Sequence, residues 1–265
     1  MKKIHPTAIL EGEIQIGDNC EIGPYSIISG KVTIGEGTKI SSHVRIEGNV
    51  VIGRNNRIYS FAYIGGDPQD VSYKGEESYV QIGDDNIIRE YVTIHRATGQ
   101  GNFTIVGNNN YIMAYAHLAH NVRVGSHCII VNAAQLAGYV EVHDHAFISG
   151  LVGVHQFTRI GAYAIVGAGV KLTQDAPPFM MIAREPARVM GLNIVGLRRK
   201  KFDSERINVL RRAFNIIYRR GYSIPAALEV LREELPFNDD VRYLIEFFTS
   251  SKRGVLRRSS TDEED

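Results

Sequence analysis

Three residues with chemical capacity recur at one interval. His120, Gly138 and Gln156 stand eighteen residues apart, as do His117, Gln135 and Gly153, and His155 adjoins Gln156. An imidazole titrates near neutral pH, so it can accept a proton during a reaction and return it. A glycine beside it allows close approach of a substrate and offers an N–H to a developing oxyanion. The set suits acyl transfer if eighteen residues is the distance at which the fold stacks them. A zinc site on His117 and His120 is the competing reading. Neither Cys20 nor Cys128 stands near enough to join it, and the spacing alone is unspecific, so no metal is expected.

The eighteen-residue distance comes from a shorter repeat. From Ile4, every sixth position through Leu172 is Ile, Leu or Val at 26 of 29 places; Asp70, Glu76 and Gln100 are the exceptions. A six-residue period is neither an α-helical period nor a heptad. It gives one short strand and one corner per repeat, three repeats to a triangular coil, and coils stacked at roughly 4.8 Å. The apolar residues become ladders inside a prism of about nine coils, each coil burying its neighbour's apolar edge. Four places after the apolar residue a small or β-branched residue is frequent, and Asn56, Asn86 and Asn110 take that slot, where a left-handed corner residue is expected. The pattern lapses at 67–80 and 97–103 without losing phase, so both segments are predicted to loop out, as solenoid loops with a function do.

The rule stops after Leu172, and Asp175-Ala176-Pro177-Pro178 punctuates the chain. Amphipathic patterns then predict helices over Ser204 to Arg220, Ile224 to Glu234 and Asp239 to Ser250. The organisation expected is a β-helix over 1–190, an α-helical domain over 191–258 and a disordered acidic tail over 259–265. Net charge is +1, but Met190 to Arg258 carries 15 Lys and Arg against 8 Asp and Glu, which suits an anionic partner. No run of eighteen apolar residues is present, so no membrane span is expected. The N-terminus lacks a signal-peptide pattern and the two cysteines form no motif, so a cytoplasmic location is expected.

On this coil, His117 and His120 flank the inward Leu118 and are predicted to point outward near a corner. A flat prism side is not a pocket, and a base there needs a second wall to exclude water. A neighbouring prism is the natural source, so a homotrimer with three equivalent clefts is expected.

Five segments together resemble the bacterial UDP-N-acetylglucosamine O-acyltransferase family of hexapeptide-repeat transferases. They are Gln69-Asp70; Thr93-Ile94-His95-Arg96; Ala116-His117-Leu118-Ala119-His120; Val154-His155-Gln156-Phe157; and Gly191-Leu192-Asn193-Ile194-Val195-Gly196-Leu197-Arg198-Arg199. The resemblance implies a left-handed parallel β-helix with a C-terminal α-helical domain. It also implies transfer of a 3-hydroxyacyl group from acyl carrier protein to the 3-hydroxyl of UDP-N-acetylglucosamine, the first step of lipid A biosynthesis. By the same resemblance His120 is the base and the Gly138 N–H the oxyanion donor. Asp70, Ser72, His117, Tyr139, His155, Gln156, Asn193 and Arg199 would bind substrate, with Arg199 supplied by another subunit. Ala168 would set acyl length. Arg198, Lys200 and Lys201 would dock the acidic carrier protein; no nucleic-acid partner is implied. No resident cofactor is implied either, because the donor brings its own phosphopantetheine.

Four positions depart from the family pattern. Asn121 follows the base where an Asp is usual, Tyr139 replaces a His, Ser72 a Lys and Val195 a Glu. An amide at 121 orients an imidazole but adds no charge to stabilise it. A 3-amino analogue of the sugar therefore stands as an alternative acceptor, and acyl-coenzyme A as an alternative donor. A scaffold β-helix without turnover is the reading from another class; an ice-binding prism would show outward Thr ladders, which this sequence lacks.

Overall fold

The computed structural model describes residues 1–257; the tail at 259–265 lies outside the described residues. The chain forms a parallel β-helix of three faces, followed by four helices. One face is an eleven-stranded sheet. The other two belong to one fourteen-stranded sheet, because the early strands Ile9–Ile16, Ile27–Ile34 and Arg45–Ile52 run around an edge without a break. Gly12, Gly30 and Gly48 make that bend, with φ of 100°, 97° and 81°. A Cβ on Gly12 would lie 2.4 Å from the carbonyl oxygen of Gly30 in the next coil, so only glycine lets the bends stack.

The register has the predicted interval. His117 pairs with Gln135, Gln135 with Gly153 and Gly153 with Lys171. Two pairings skip. Ile64 pairs with Ile94, and Ile94 with Leu118, so the loops add twelve and six residues to their coils. Both insertions are whole repeats, which is why the apolar phase survives them. The loops are shorter than the lapse in the pattern suggests. Tyr79–Ile82 and Phe103–Val106 are strands, with Val80 buried and the Tyr79 and Phe103 rings stacked 4.8 Å apart.

The apolar ladders fill the interior from Ile22 to Leu172. The asparagine slot corrects the sequence reading. Left-handed backbone occurs one position earlier, at residues such as Asn55, Asp85 and Asn109. Asn56, Asn86 and Asn110 instead point inward as a buried ladder. Asn56 Oδ1 accepts from the Asn86 N–H at 2.9 Å, Asn86 Oδ1 from the Asn110 N–H at 2.9 Å, and Asn110 Oδ1 from the Cys128 N–H at 2.8 Å. Each amide also donates to a glycine carbonyl at 2.9 Å, so the buried groups are satisfied. Cys20 and Cys128 are free and buried; burial pushes the Cys128 thiol up to about 12, away from reactivity.

A hairpin of Met180–Ala183 and Arg188–Leu192 ends the prism. Helices α1 (Ile194–Arg199), α2 (Ser204–Arg219), α3 (Ile224–Glu234) and α4 (Asp239–Thr249) follow. Periodicity missed α1, whose six residues are too few to show a helical stripe. Asn193, Asp203, Ser223 and Asn238 cap the four N-termini with their side chains. Helix α4 docks on the last coils. The Tyr243 hydroxyl accepts from the Ala162 N–H at 2.8 Å and so donates to His143 Nδ1 at 2.6 Å. Arg159 joins the buried Asp175 at 2.8 Å and donates to the Phe247 carbonyl of α4. No helix among the described residues is long and apolar enough to cross a membrane.

Candidate active site

The edge that bends at Gly12, Gly30 and Gly48 changes character higher up. There the chain throws out the loops at 67–78 and 96–102, and then turns tight corners at His120, Gly138 and Gln156. The corners stack in register: the Tyr139 N–H donates to the His120 carbonyl and the Phe157 N–H to the Gly138 carbonyl, each at 3.1 Å. An ideal Cβ on Gly138 would sit 2.4 Å from His120 Cε1 and 2.5 Å from Nε2. The imidazole thus lies directly on the face of the glycine, in space that any side chain would take. Among the described residues no acceptor bonds the Gly138 N–H, which leaves it available as a donor.

The repeat predicts that His117 and His120 point outward. They are outward from the core but roofed, because the two loops are joined to each other. The Gly99 N–H donates to Glu76 Oε1 at 2.8 Å, the Gly101 N–H to the Glu77 carbonyl at 2.8 Å, and the Glu77 N–H to Gln100 Oε1 at 3.2 Å. Arg96 pins the first loop from below, through Asp67, the Tyr73 hydroxyl at 2.8 Å and the Gly65 carbonyl at 3.1 Å. The His120 side chain is left 10% exposed.

Two side chains address the ring nitrogens of His120. Asn121 Oδ1 lies 3.0 Å from Nδ1, and Asp70 Oδ2 lies 3.7 Å from Nε2. Asp70 is held by the Ser72 N–H and hydroxyl, both at 2.9 Å, and by the Thr98 hydroxyl at 3.2 Å. The Ser72 amide and hydroxyl, with a smaller share from Thr98 and His120, hold its carboxyl below the usual range, so it is ionised at neutral pH. Ser72 thus acts on Asp70, the residue at which the sequence expected sugar contact. Tyr139 packs edge-on to His120 at 5.4 Å and stacks on Phe157 at 4.8 Å.

On the adjoining face His117 bonds Thr93 Oγ1 through Nδ1 at 2.7 Å and meets the His95 ring edge-on at 5.0 Å. Burial, followed by the neighbouring His95 and His120, pushes the His117 imidazole down to about 4. It is therefore neutral at working pH and suited to hydrogen bonding. A native pKa below the unfolded one means that the unfolded chain takes up protons first as pH falls. Stability present above about 6.5 is then lost progressively toward pH 4. In His117→Asn, which keeps a polar partner for Thr93, the fall in melting temperature across this window is expected to shrink. An unchanged fall would show that His117 contributes none of it.

His117, His120, Gly138, His155, Gln156 and Lys171 line an open cleft of about 560 Å³. Gln69 of the first loop stands at its rim. Of the predicted residues His117, His120, Gly138, His155 and Gln156 line the cleft; Asp70 and Tyr139 border it through His120, Ser72 through Asp70, and the rest lie elsewhere. Ala168 is an exposed corner residue between strands Ile165–Val166 and Lys171–Leu172, at the opposite edge of the same face. Asn193 lies on the third edge, where its amide donates to the Tyr163 carbonyl at 2.9 Å and its Oδ1 caps α1. Arg198, Arg199, Lys200 and Lys201 follow there, all exposed. One chain therefore distributes the predicted set over three edges. Thr98, Tyr73 and Arg96 surround the site with no role assigned to them on sequence, while Asn121, expected to orient the imidazole, does lie against His120. Lys171 was reachable by adding eighteen to Gly153. Among the described residues no group of three or more His, Cys, Asp or Glu is arranged to hold a metal.

An imidazole against an open glycine amide, in a cleft lined by Leu136, Val154 and Leu172, is an arrangement that suits acyl transfer. Comparison with known proteins agrees. A family model described as Udp N-acetylglucosamine O-acyltransferase, Domain 2, matches residues 175–256, and one for the bacterial transferase hexapeptide (six repeats) matches 31–66 and 103–138. The acyl-[acyl-carrier-protein]–UDP-N-acetylglucosamine O-acyltransferase of Burkholderia mallei is 50% identical over 262 residues, covering 97% of this chain and all of that protein. Its namesake from Xylella fastidiosa is 46% identical over 96% of this chain and 97% of its own length. The crystal structure of Francisella novicida UDP-N-acetylglucosamine acyltransferase superposes with a TM-score of 0.94 at 39% identity, over 97% of this chain and 95% of that one. The Arabidopsis UDP-N-acetylglucosamine acyltransferase does so at 0.87 and 32%, over 96% and 98%. By its repeat, its site and its relatives, this chain belongs to the UDP-N-acetylglucosamine O-acyltransferase family.

Proposed function

We propose that this protein transfers a 3-hydroxyacyl group from acyl carrier protein to the 3-hydroxyl of UDP-N-acetylglucosamine, the step that opens lipid A synthesis. The observation that carries the reading is the contact of the His120 imidazole with Gly138 inside the cleft. His120 Nε2 removes the 3-hydroxyl proton as that oxygen attacks the thioester carbonyl. The Gly138 N–H receives the negative charge that forms on the carbonyl oxygen. Collapse of the intermediate breaks the C–S bond, and the proton held by His120 passes to the leaving thiolate. Asp70, positioned by Ser72, grips the glucosamine, and His117, Tyr139, His155 and Gln156 serve the sugar, the acyl chain or the diphosphate. The protein needs no cofactor of its own, since the phosphopantetheine arrives with the carrier, and works in the cytoplasm.

A homotrimer completes the site. Asn193 and Arg199 occupy an edge of the prism away from His120, so they reach a nucleotide bound at His120 only from a neighbouring copy. The Arg199 fork matches a diphosphate. Arg198, Lys200 and Lys201, at the same exposed helix end, face the acidic carrier protein. Ala168, at the far edge of the cleft face, limits acyl length.

One observation favours a second acceptor. Asn121 is uncharged, so the imidazolium formed in the reaction lacks carboxylate support on its Nδ1 side. An amine attacks before it loses its proton and asks less of the base, which fits the 3-amino analogue of the sugar. Mass spectrometry of products from a panel of acylated carrier proteins, offered both acceptors, tests both readings. A 3-O-acyl product cleaved by mild base is expected with UDP-N-acetylglucosamine; a base-stable amide alone would move the reading to the amino sugar. Transfer from acyl-coenzyme A but from no acylated carrier would overturn the donor.

A further inference from the structure

We propose that Thr98 is a positioning residue that fixes which nitrogen of His120 carries the proton and where the Asp70 carboxylate points. The inference rests on His120 being the base. Thr98 lies in the second loop, buried beneath the first, and touches the neighbours of both ring nitrogens. Its backbone N–H donates to Asn121 Oδ1 at 2.9 Å, and its carbonyl accepts from Asn121 Nδ2 at 3.1 Å. A main-chain N–H can only donate and a carbonyl can only accept, so this pair of bonds forbids the flipped amide. The Asn121 main chain is held as well, by its N–H to Thr104 Oγ1 at 2.9 Å. The amide oxygen must therefore face His120 Nδ1, 3.0 Å away.

An amide oxygen is an acceptor only, so Nδ1 carries the hydrogen and Nε2 keeps its lone pair. Nε2 is the nitrogen that lies against Gly138 and 3.7 Å from Asp70 Oδ2. A carboxylate at position 121 would accept in either orientation. A neutral amide selects the tautomer only when something fixes its direction, and in this chain the Thr98 main chain does so. The Thr98 hydroxyl then donates to Asp70 Oδ2 at 3.2 Å, which ties the carboxylate to the same anchor.

The test is long-range ¹H–¹⁵N NMR of the full chain labelled at histidine, at a pH where the imidazoles are neutral. The His120 signal is identified by its loss in His120→Gln. Protonated Nδ1 and unprotonated Nε2 are expected, and a signal with the hydrogen on Nε2 would overturn the proposal. This readout needs no substrate, so it stands apart from any failure of the acyl-transfer reading. For the hydroxyl, Thr98→Val is expected to raise the KM for the nucleotide sugar about tenfold, as loss of a bond to a charged group does. It should leave the tautomer unchanged, and Thr98→Ser should restore KM. A valine variant with unaltered KM would overturn the link to Asp70.

Discussion

Replacing His120 by alanine is expected to lower turnover by about 10²–10⁴-fold, the usual contribution of a positioned base. The loss should fall on kcat, because the ring is asked to act as the acceptor oxygen becomes a nucleophile. The fold should be unaffected. His120 lies outside the apolar ladders, and its coil is held by backbone bonds such as that from the Tyr139 N–H to the His120 carbonyl, which alanine keeps. Circular dichroism and melting temperature near those of the parent protein, together with the lost turnover, would assign the effect to chemistry. A variant with near-parental turnover from acylated carrier would remove His120 from its role.

A methyl group on Gly138 should be nearly as damaging, for a different reason. The new Cβ would fall 2.4 Å from Cε1 and 2.5 Å from Nε2 of His120, where no contact is tolerated. The ring has little freedom to yield, with Asn121 on one nitrogen and the Tyr139 ring 5.4 Å from its own. Gly138→Ala therefore moves the imidazole from the place the proposed reaction needs, and a displacement of about 1 Å is expected to cost on the order of 10²-fold in turnover. The Gly138 φ is not in the left-handed region, so alanine brings no backbone strain and the melting temperature should hold. Full activity in Gly138→Ala would mean that the imidazole does not act from this position.

These two residues also show how far the sequence is legible. A six-residue apolar period fixes which residues are vertical neighbours, so the contact of His120 with Gly138 and the pairing of His117 with Gln135 follow from adding eighteen. Helices α2, α3 and α4 were equally plain, because amphipathic stripes are local signals. Contacts made where the period lapses were not visible. The bonds from Gly99 to Glu76 and from Thr98 to Asn121 and Asp70 join irregular segments, and no periodicity predicts which residues of two loops meet. The asparagine ladder was misread for a related reason. An asparagine at a corner suits either a left-handed backbone or a buried hydrogen-bonded amide, and only the direction of its side chain separates the two. The position of Asn193 and Arg199 on a different edge from His120 was likewise beyond reach, since their segment follows the end of the repeat.

In the proposed reaction His120 Nε2 is the atom that meets the acceptor hydroxyl. A crystal structure of the protein with UDP-N-acetylglucosamine bound puts that to the test. The 3-hydroxyl oxygen is expected about 2.6–3.2 Å from His120 Nε2, within the reach a base requires, with the adjoining space open to the Gly138 N–H. A sugar bound at another face of the prism, or one whose 3-hydroxyl turns away from this imidazole, would contradict it.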